Sequence, residues 1–323
     1  MTPKFPDKIN LAHLPTPVEP LPRISNIIKG SEIYIKRDDL TGLAGGGNKT
    51  RKLEFLVAEA REQGFDHLIT MGEPQSNHCR QTAAAAARSG MGCSLIFEGP
   101  ETPACSGNLL LDKLLGAHLY WAGEEPLSSV VSKISKQQET LGHKPYVIPA
   151  SGSNVFGTAA YVLAMKELVA QMEEQHLNFD VIVVPSDSGG TQAGLILGAH
   201  LFGFRGKIFG ISIRRPETEL HMQVAALVTA TATHLGLDTL SLVDLVEISD
   251  DYIEPGFGVV GDLEKEALSL LAEKEGILLD AKYTARAFGG LIDLIRWGGF
   301  TRNQTILFWH TGGIPALYAH PLE

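Results

Sequence analysis

Apolar positions along this chain follow two different periods, and the two alternate from one end to the other. Compact apolar runs predict strands at residues 31–36, 66–71, 93–98, 118–122, 146–149, 179–186, 207–213, near 245–248, at 277–279 and at 304–310. Between them apolar residues return every three or four positions. That spacing predicts helices from Asn48, at 76–89, 107–115, 127–140, 157–174, 191–201, 217–233, near 263–275, at 284–297, and a short one after Gly313. Strand–helix alternation of this kind means an α/β class, with open, twisted, mainly parallel sheets and right-handed crossovers flanked by helices. The run F-D-V-I-V-V-P-S at 179–186 is apolar without alternation, as expected of a strand covered on both faces. Residues 1–31 have no period and carry six prolines, so they read as an irregular arm laid over a surface.

Length and charge narrow this picture. At 323 residues the chain exceeds one simple core, so two packed α/β domains with a site between them are expected. Hydrophobic residues make up 44% and charged residues 20%, the balance of an ordinary globular protein. The net charge, 27 − 37 = −10, argues against nucleic acid or an anionic membrane as partner. Cys79, Cys93 and Cys105 have no metal or disulfide spacing, and no His/Asp/Glu set has metal spacing, so no metal is expected. The amino terminus has no apolar signal-like region, and the most apolar window, 181–204, holds Asp187 and five glycines. It reads as strand, loop and helix, with no membrane span, and a cytoplasmic location is expected.

Five motifs carry chemistry. In G-G-G-N-K-T-R-K-L-E-F-L, residues 45–56, Asn48 reads as a cap, and Leu53, Leu56 and Val57 form an apolar face. Lys49, Arg51 and Lys52 then fall in the first turn, where the helix dipole disfavours cations. The spacer of a P-loop is absent, which leaves a Schiff-base lysine or a solvated basic loop. In S-D-S-G-G-T-Q-A-G, residues 186–194, amides and hydroxyls at a helix start make a cradle for one phosphate. The plain alternative is a tight turn without ligand. In G-E-P-Q-S-N-H-C-R-Q, residues 72–81, Gln75, Ser76, Asn77 and His78 crowd a helix start in a way that suits a carboxylate. Capping by Ser76 or Asn77 would explain one of the four. The segments L-L-D-A-K-Y-T-A-R-A, 278–287, and W-H-T-G-G-I-P-A-L, 309–317, are further strand ends with hydroxyls. His310 reads as a buried histidine with a structural hydrogen bond. All five lie where open α/β sheets bind ligands. A reactive lysine, a monophosphate cradle and a carboxylate site without a metal describe pyridoxal phosphate chemistry on an amino acid.

These motifs, in this order and over essentially the whole chain, resemble the D-cysteine desulfhydrase and 1-aminocyclopropane-1-carboxylate (ACC) deaminase family of fold-type II pyridoxal phosphate enzymes, built like the tryptophan synthase β chain. The resemblance implies a larger cofactor domain, 1–52 plus 157–323, and a smaller one, 53–156. It implies that Lys49 joins the cofactor, that Asn77 bonds the ring hydroxyl, and that Ser76 lies over the cofactor face. Ser188, Gly189, Gly190 and Thr191 match the phosphate loop, and Tyr283 an active-site tyrosine. Gln75, Ser76, Asn77, His78, Phe257 and Tyr283 are the implied substrate contacts, with Thr284 and Thr311 near the cofactor. Thr284, Thr311 and His78 point to the desulfhydrase branch, whereas Phe257 stands where both branches usually show tyrosine. The implied reaction is β-elimination: Lys49 or Ser76 removes the Cα proton and thiol leaves Cβ, giving pyruvate and ammonia. A hydroxyl at the pyridine nitrogen, such as that of Thr311, would favour prompt elimination over a long-lived carbanion. D-Cysteine is the expected substrate. ACC deamination, L-cysteate sulfo-lyase activity and a non-catalytic phosphate-ligand-binding protein are the alternatives, and a homodimer is the family expectation. Arg51 and Lys52 are unassigned, and are expected to pair with Asp38, Asp39 or Glu54.

Overall fold

The computed structural model describes residues 3–102, 105–237, 242–301 and 303–319. In chain order the elements begin with β1 (Val18–Pro20), α1 (Pro22–Ile28), β2 (Glu32–Arg37), α2 (Asn48–Glu62), β3 (His67–Gly72), α3 (Asn77–Ser89) and β4 (Gly92–Phe97). Next come α4 (Gly107–Leu114), β5 (His118–Trp121), α5 (Leu127–Thr140), β6 (Pro145–Val147) and α6 (Val155–Gln175). The chain continues through β7 (Val181–Ser186), α7 (Gly190–Phe202), β8 (Lys207–Ser212), α8 (Glu217–His234), β9 (Glu247–Ser249), α9 (Asp262–Glu275), α10 (Thr284–Trp297) and β10 (Thr305–His310).

Two sheets result. One has six strands in the order β1-β2-β10-β7-β8-β9, the other four in the order β5-β4-β3-β6. Every pairing is parallel except β1 with β2. The apolar run at 179–186 becomes β7, near the centre of the larger sheet, with every residue buried. Its side chains alternate between two cores: Ile182 and Val184 pack with α6 and α7, Val181 and Val183 with α9 and α10. Pro185 is tolerated in this strand because pairing with β10 ends at Val183, so no N–H is needed on that side. In the smaller sheet, the alanine run of α3 lets that helix sit close on α2, β3 and β4.

The amino-terminal arm is more regular than its prolines suggest. Val18–Pro20 pairs with β2 as an antiparallel edge, where a proline leaves no ladder bond unmade, and Pro22 starts α1 at the first helical position. Farther upstream, Leu11 and Ala12 donate their N–H groups to Glu54, both at 2.9 Å, which pins the arm to α2. The strand expected at 277–279 does not form. Ile277 and Leu279 are buried, but the segment pairs with no described strand, and the Leu278 carbonyl accepts from His310 Nε2 at 2.9 Å. Apolar content alone reported burial there, not a ladder. No helix among the described residues is long and apolar enough to cross a membrane.

Candidate active site

The carboxyl ends of β3, β7 and β10 and the start of α2 meet at one pocket. A wider cleft of about 730 Å³ opens at the amino ends of β2 and β10, but its described lining holds one carboxylate, Glu32, and no lysine, arginine, histidine or cysteine. In parallel sheets the chemistry belongs at the opposite end.

Lys49 is the second residue of α2, 8% exposed, and lines the pocket. Burial drags its amine down to about 8, with Asp187 pulling the other way. The helix start is not capped as expected. Gly47, with φ 124°, takes the cap position, and Asn48 is the first helical residue. Asn48 instead ties two walls together: its N–H donates to the Thr311 carbonyl at 2.8 Å and its Nδ2 to Thr191 Oγ1 at 3.2 Å. Its Oδ1 is buried with no protein partner.

Beside Lys49 the first turn of α7 forms a cradle. Gly189 caps this 13-residue helix, and no acidic residue occupies its first turn. Ser188 Oγ lies 2.8 Å from Ser153 Oγ, and Ser153 accepts from Lys52 Nζ at 3.1 Å. Lys52 also donates to the Ser151 carbonyl and has no carboxylate partner, although it is only 1% exposed. Burial and the neighbouring Lys49 hold its ammonium well below the usual lysine range. This corrects the expected pairing of Lys52 with Asp38, Asp39 or Glu54. Arg51 does take Asp38, along with Glu167, and Glu54 is taken by the arm. A side chain at position 190 would displace the cradle's own groups, since a Cβ on Gly190 would fall 2.7 Å from Ser153 Oγ and 2.9 Å from Lys52 Nζ. Helix amides, two hydroxyls and a buried cation without a counter-charge fit a phosphate monoester. A nearby amine with a lowered pKa fits a carbonyl carbon.

The structure gathers Lys49, Ser76, Asn77, Ser188, Gly189, Thr191, Tyr283 and Thr311 around this pocket. Ser76 caps α3, its Oγ accepting from Cys79 N at 3.2 Å, which leaves its proton to donate. Tyr283 is held as a phenol: burial, then Glu73, Asp187 and Asp280, push its pKa far up. Five of the expected residues, Gln75, His78, Gly190, Phe257 and Thr284, do not line it. Gln75 turns away to Ser106 and Asn108. Thr284 is fully buried, its hydroxyl on Asp280 Oδ1 at 2.7 Å. Phe257 stands behind Tyr283, ring centroids 5.8 Å apart and nearly edge-on. His78 faces Thr70. Thr70 Oγ1 gives its only proton to the Ile148 carbonyl, so it accepts from His78 Nε2–H at 2.9 Å, leaving Nδ1 bare. Burial, then Lys49 and Lys52, keep that imidazole neutral. Gly190 is the first residue of α7 and backs the cradle against Ser153 and Lys52.

Sequence reasoning missed Ser151, Ser186 and Asp187 in the lining, and with them Ser153 and Lys52 behind it. Ser186 and Asp187 lay inside a motif already singled out. Ser151 and Ser153 follow β6, and the strand-end rule that found the other motifs would have found them. Asp187 faces the pocket with its charge matched by Arg214 Nε at 2.7 Å. His310 makes the structural hydrogen bond expected of it, donating through Nε2 and accepting Gly312 N–H at Nδ1. Among the described residues no group of His, Cys, Asp or Glu is placed to hold a metal ion.

The family described as pyridoxal-phosphate dependent enzyme matches residues 9–312. The D-cysteine desulfhydrase of Salmonella typhi is 44% identical over 326 aligned positions, spanning 98% of this chain and 97% of that protein. A solved structure described as an ACC deaminase homologue superposes with a TM-score of 0.89 at 37% identity, over 98% of this chain and 94% of its own. An L-serine ammonia-lyase from Rhizomucor miehei gives a TM-score of 0.69 over 94% of each chain at 16% identity, a likeness of fold alone.

Proposed function

Because this chain belongs to the pyridoxal-phosphate dependent enzyme family, we propose that it is a carbon–sulfur lyase converting D-cysteine and water to pyruvate, ammonia and hydrogen sulfide. The observation that carries this reading is the pairing of Lys49, whose amine is poised near pH 8, with the Lys52 cradle that lacks a carboxylate. Bound there, pyridoxal phosphate supplies an electron sink for loss of the Cα proton. Lys52, Ser188, Thr191 and the first amides of α7 are the groups that would hold its phosphate. Lys49 is the amine for its carbonyl carbon, Asn77 the donor for its ring hydroxyl, and Thr311 the hydroxyl for its ring nitrogen.

Substrate handling falls to the other wall. Ser76 and Asn77, at the positive end of α3, bind a carboxylate. Lys49 or Ser76 takes the Cα proton, and geometry favours neither. Tyr283 stays protonated, so it orients a substrate by donating a hydrogen bond and is a poor base. Phe257, with no hydroxyl, backs that ring with an apolar face. Thr284, committed to Asp280, brings no carboxylate to the pocket, which argues against ACC ring opening. The domain division at residues 52 and 156, a homodimer and a cytoplasmic location belong to the same reading, and sedimentation tests the dimer.

The deciding experiment gives the cofactor-loaded protein D-cysteine, L-cysteine, L-cysteate, D-serine and ACC, and assays pyruvate, sulfide, sulfite and 2-oxobutyrate. Sulfide and pyruvate from D-cysteine, with no 2-oxobutyrate from ACC, are expected. Sulfite from L-cysteate alone would make it a sulfo-lyase, and 2-oxobutyrate a deaminase. A colourless protein that takes up no cofactor would leave a ligand-binding relic. The visible absorbance should disappear in Lys49→Ala.

A further inference from the structure

The proposed pocket has walls from two distant parts of the chain. One is the turn of residues 73–77 after β3, and the other is the segment 280–284 before α10. Lys282 Nζ meets Glu73 Oε2 between them, the side chains 8% and 19% exposed. Among the described residues two ion pairs join residues 53–156 to the rest of the chain, Lys8 with Glu54 on the arm and this one, and only this one stands beside the pocket. Its partners stand next to the lining: Glu73 is three residues before Ser76, and Lys282 directly precedes Tyr283. Lys282 Nζ also lies 5.4 Å from the centre of the Phe257 ring, the ring that leans on Tyr283. The other Glu73 oxygen, Oε1, is buried without a partner. A buried pair left half satisfied adds little net stability, because desolvation offsets the attraction. What such a pair does fix is the relative position of the groups that carry it.

We propose that Glu73 and Lys282 form a clasp across the pocket. As positioning residues they set the gap between the Ser76 wall and the Tyr283–Phe257 wall, and so the fit of a small amino acid. The clasp rests on the β-elimination reading only for the choice of substrate in its kinetic test.

Hydrogen exchange on the cofactor-loaded, substrate-free enzyme tests it, using Glu73→Gln, Lys282→Met and the double variant. Amides of 73–77 and of 281–284 should exchange about tenfold faster in each single variant, and no faster in the double, as expected of two residues acting as one unit. Amides of the carboxyl-terminal half of α7, which lines no part of the pocket, should keep their wild-type rates. In steady state, KM for D-cysteine should rise about tenfold while kcat changes less than about threefold, the pattern of lost binding without lost chemistry. Unchanged exchange at either wall, additive effects in the double variant, or loosening that extends to the carboxyl-terminal half of α7 would each overturn the clasp. Absence of sulfide from D-cysteine with the wild-type enzyme would sink the lyase reading instead, and the exchange result would still decide the clasp.

Discussion

Arg51 and Lys52 are neighbours in sequence with opposite surroundings, and the difference sets what each can do. Arg51 is bonded to two carboxylates, Asp38 and Glu167, whereas Lys52 is as deeply buried with only a hydroxyl and a carbonyl for company. An unpaired buried ammonium opposes folding unless an anion joins it. Lys52→Met should therefore leave the cofactor-free protein at least as stable in urea. It should weaken pyridoxal phosphate binding by about 1.5–3 kcal/mol, the worth of a hydrogen bond to a charged group, which an equilibrium titration would read. Lys49 makes a pH prediction. Its folded pKa, about 8, lies below the ordinary lysine value, so between the two the folded chain holds fewer protons than the unfolded one. Stability of the cofactor-free protein should rise with pH across that window, and the burial penalty should act in full below pH 8. The rate of cofactor uptake should climb with a midpoint near pH 8, and a midpoint near the free-lysine value would show that burial has not poised this amine.

At the scale of elements, the cradle depends on how closely α7 approaches α6. A Cβ on Gly194 would come within 2.4 Å of the Tyr161 Cβ, and one on Gly198 within 2.5 Å of the Met165 Cβ. Gly198→Ala should cost about 1–3 kcal/mol by overpacking, seen as a lower urea midpoint, and should weaken phosphate binding as the start of α7 moves out of line. An unchanged midpoint would mean that α6 yields more easily than its contacts suggest. Element positions were largely legible in the sequence because period follows burial, and burial on one or two faces is a local pattern. The failures have the same root. Residues 277–279 are apolar and two of them are buried, yet they pair with no described strand. Asn48 has a cap's chemistry, yet Gly47 takes that place and the Asn48 side chain is drawn across to Thr191.

At the scale of the whole molecule, one charge network ties distant segments together. Arg51 on α2, Asp38 after β2 and Glu167 on α6 meet Lys36 of β2, while Thr16 of the arm, Tyr161 and Trp309 bond to Asp38. Burial alone would raise the Asp38 carboxyl, but the Arg51 guanidinium beside it brings it down to about 2. That value lies below the unfolded one, so the pair's stability is complete above the ordinary aspartate pKa, about 3.9, and is lost as pH falls from there toward 2. Arg51→Met should cost about 3–5 kcal/mol at neutral pH by leaving the buried Asp38 carboxylate without a bonded cation, while Glu167 keeps Lys36. It should also flatten the acid limb of the stability curve between about pH 4 and 2, which urea melts at several pH values would show. By itself the sequence determined the α/β class, the strand-end address of the pocket and a lysine in its lining, because period, glycine-rich turns and helix starts are local. Only the tertiary structure decided which cations meet carboxylates, which serine completes the cradle, and that Glu73 reaches Lys282. Those are contacts between residues far apart in the chain, fixed by how two sheets face each other, and no spacing along the sequence records that distance.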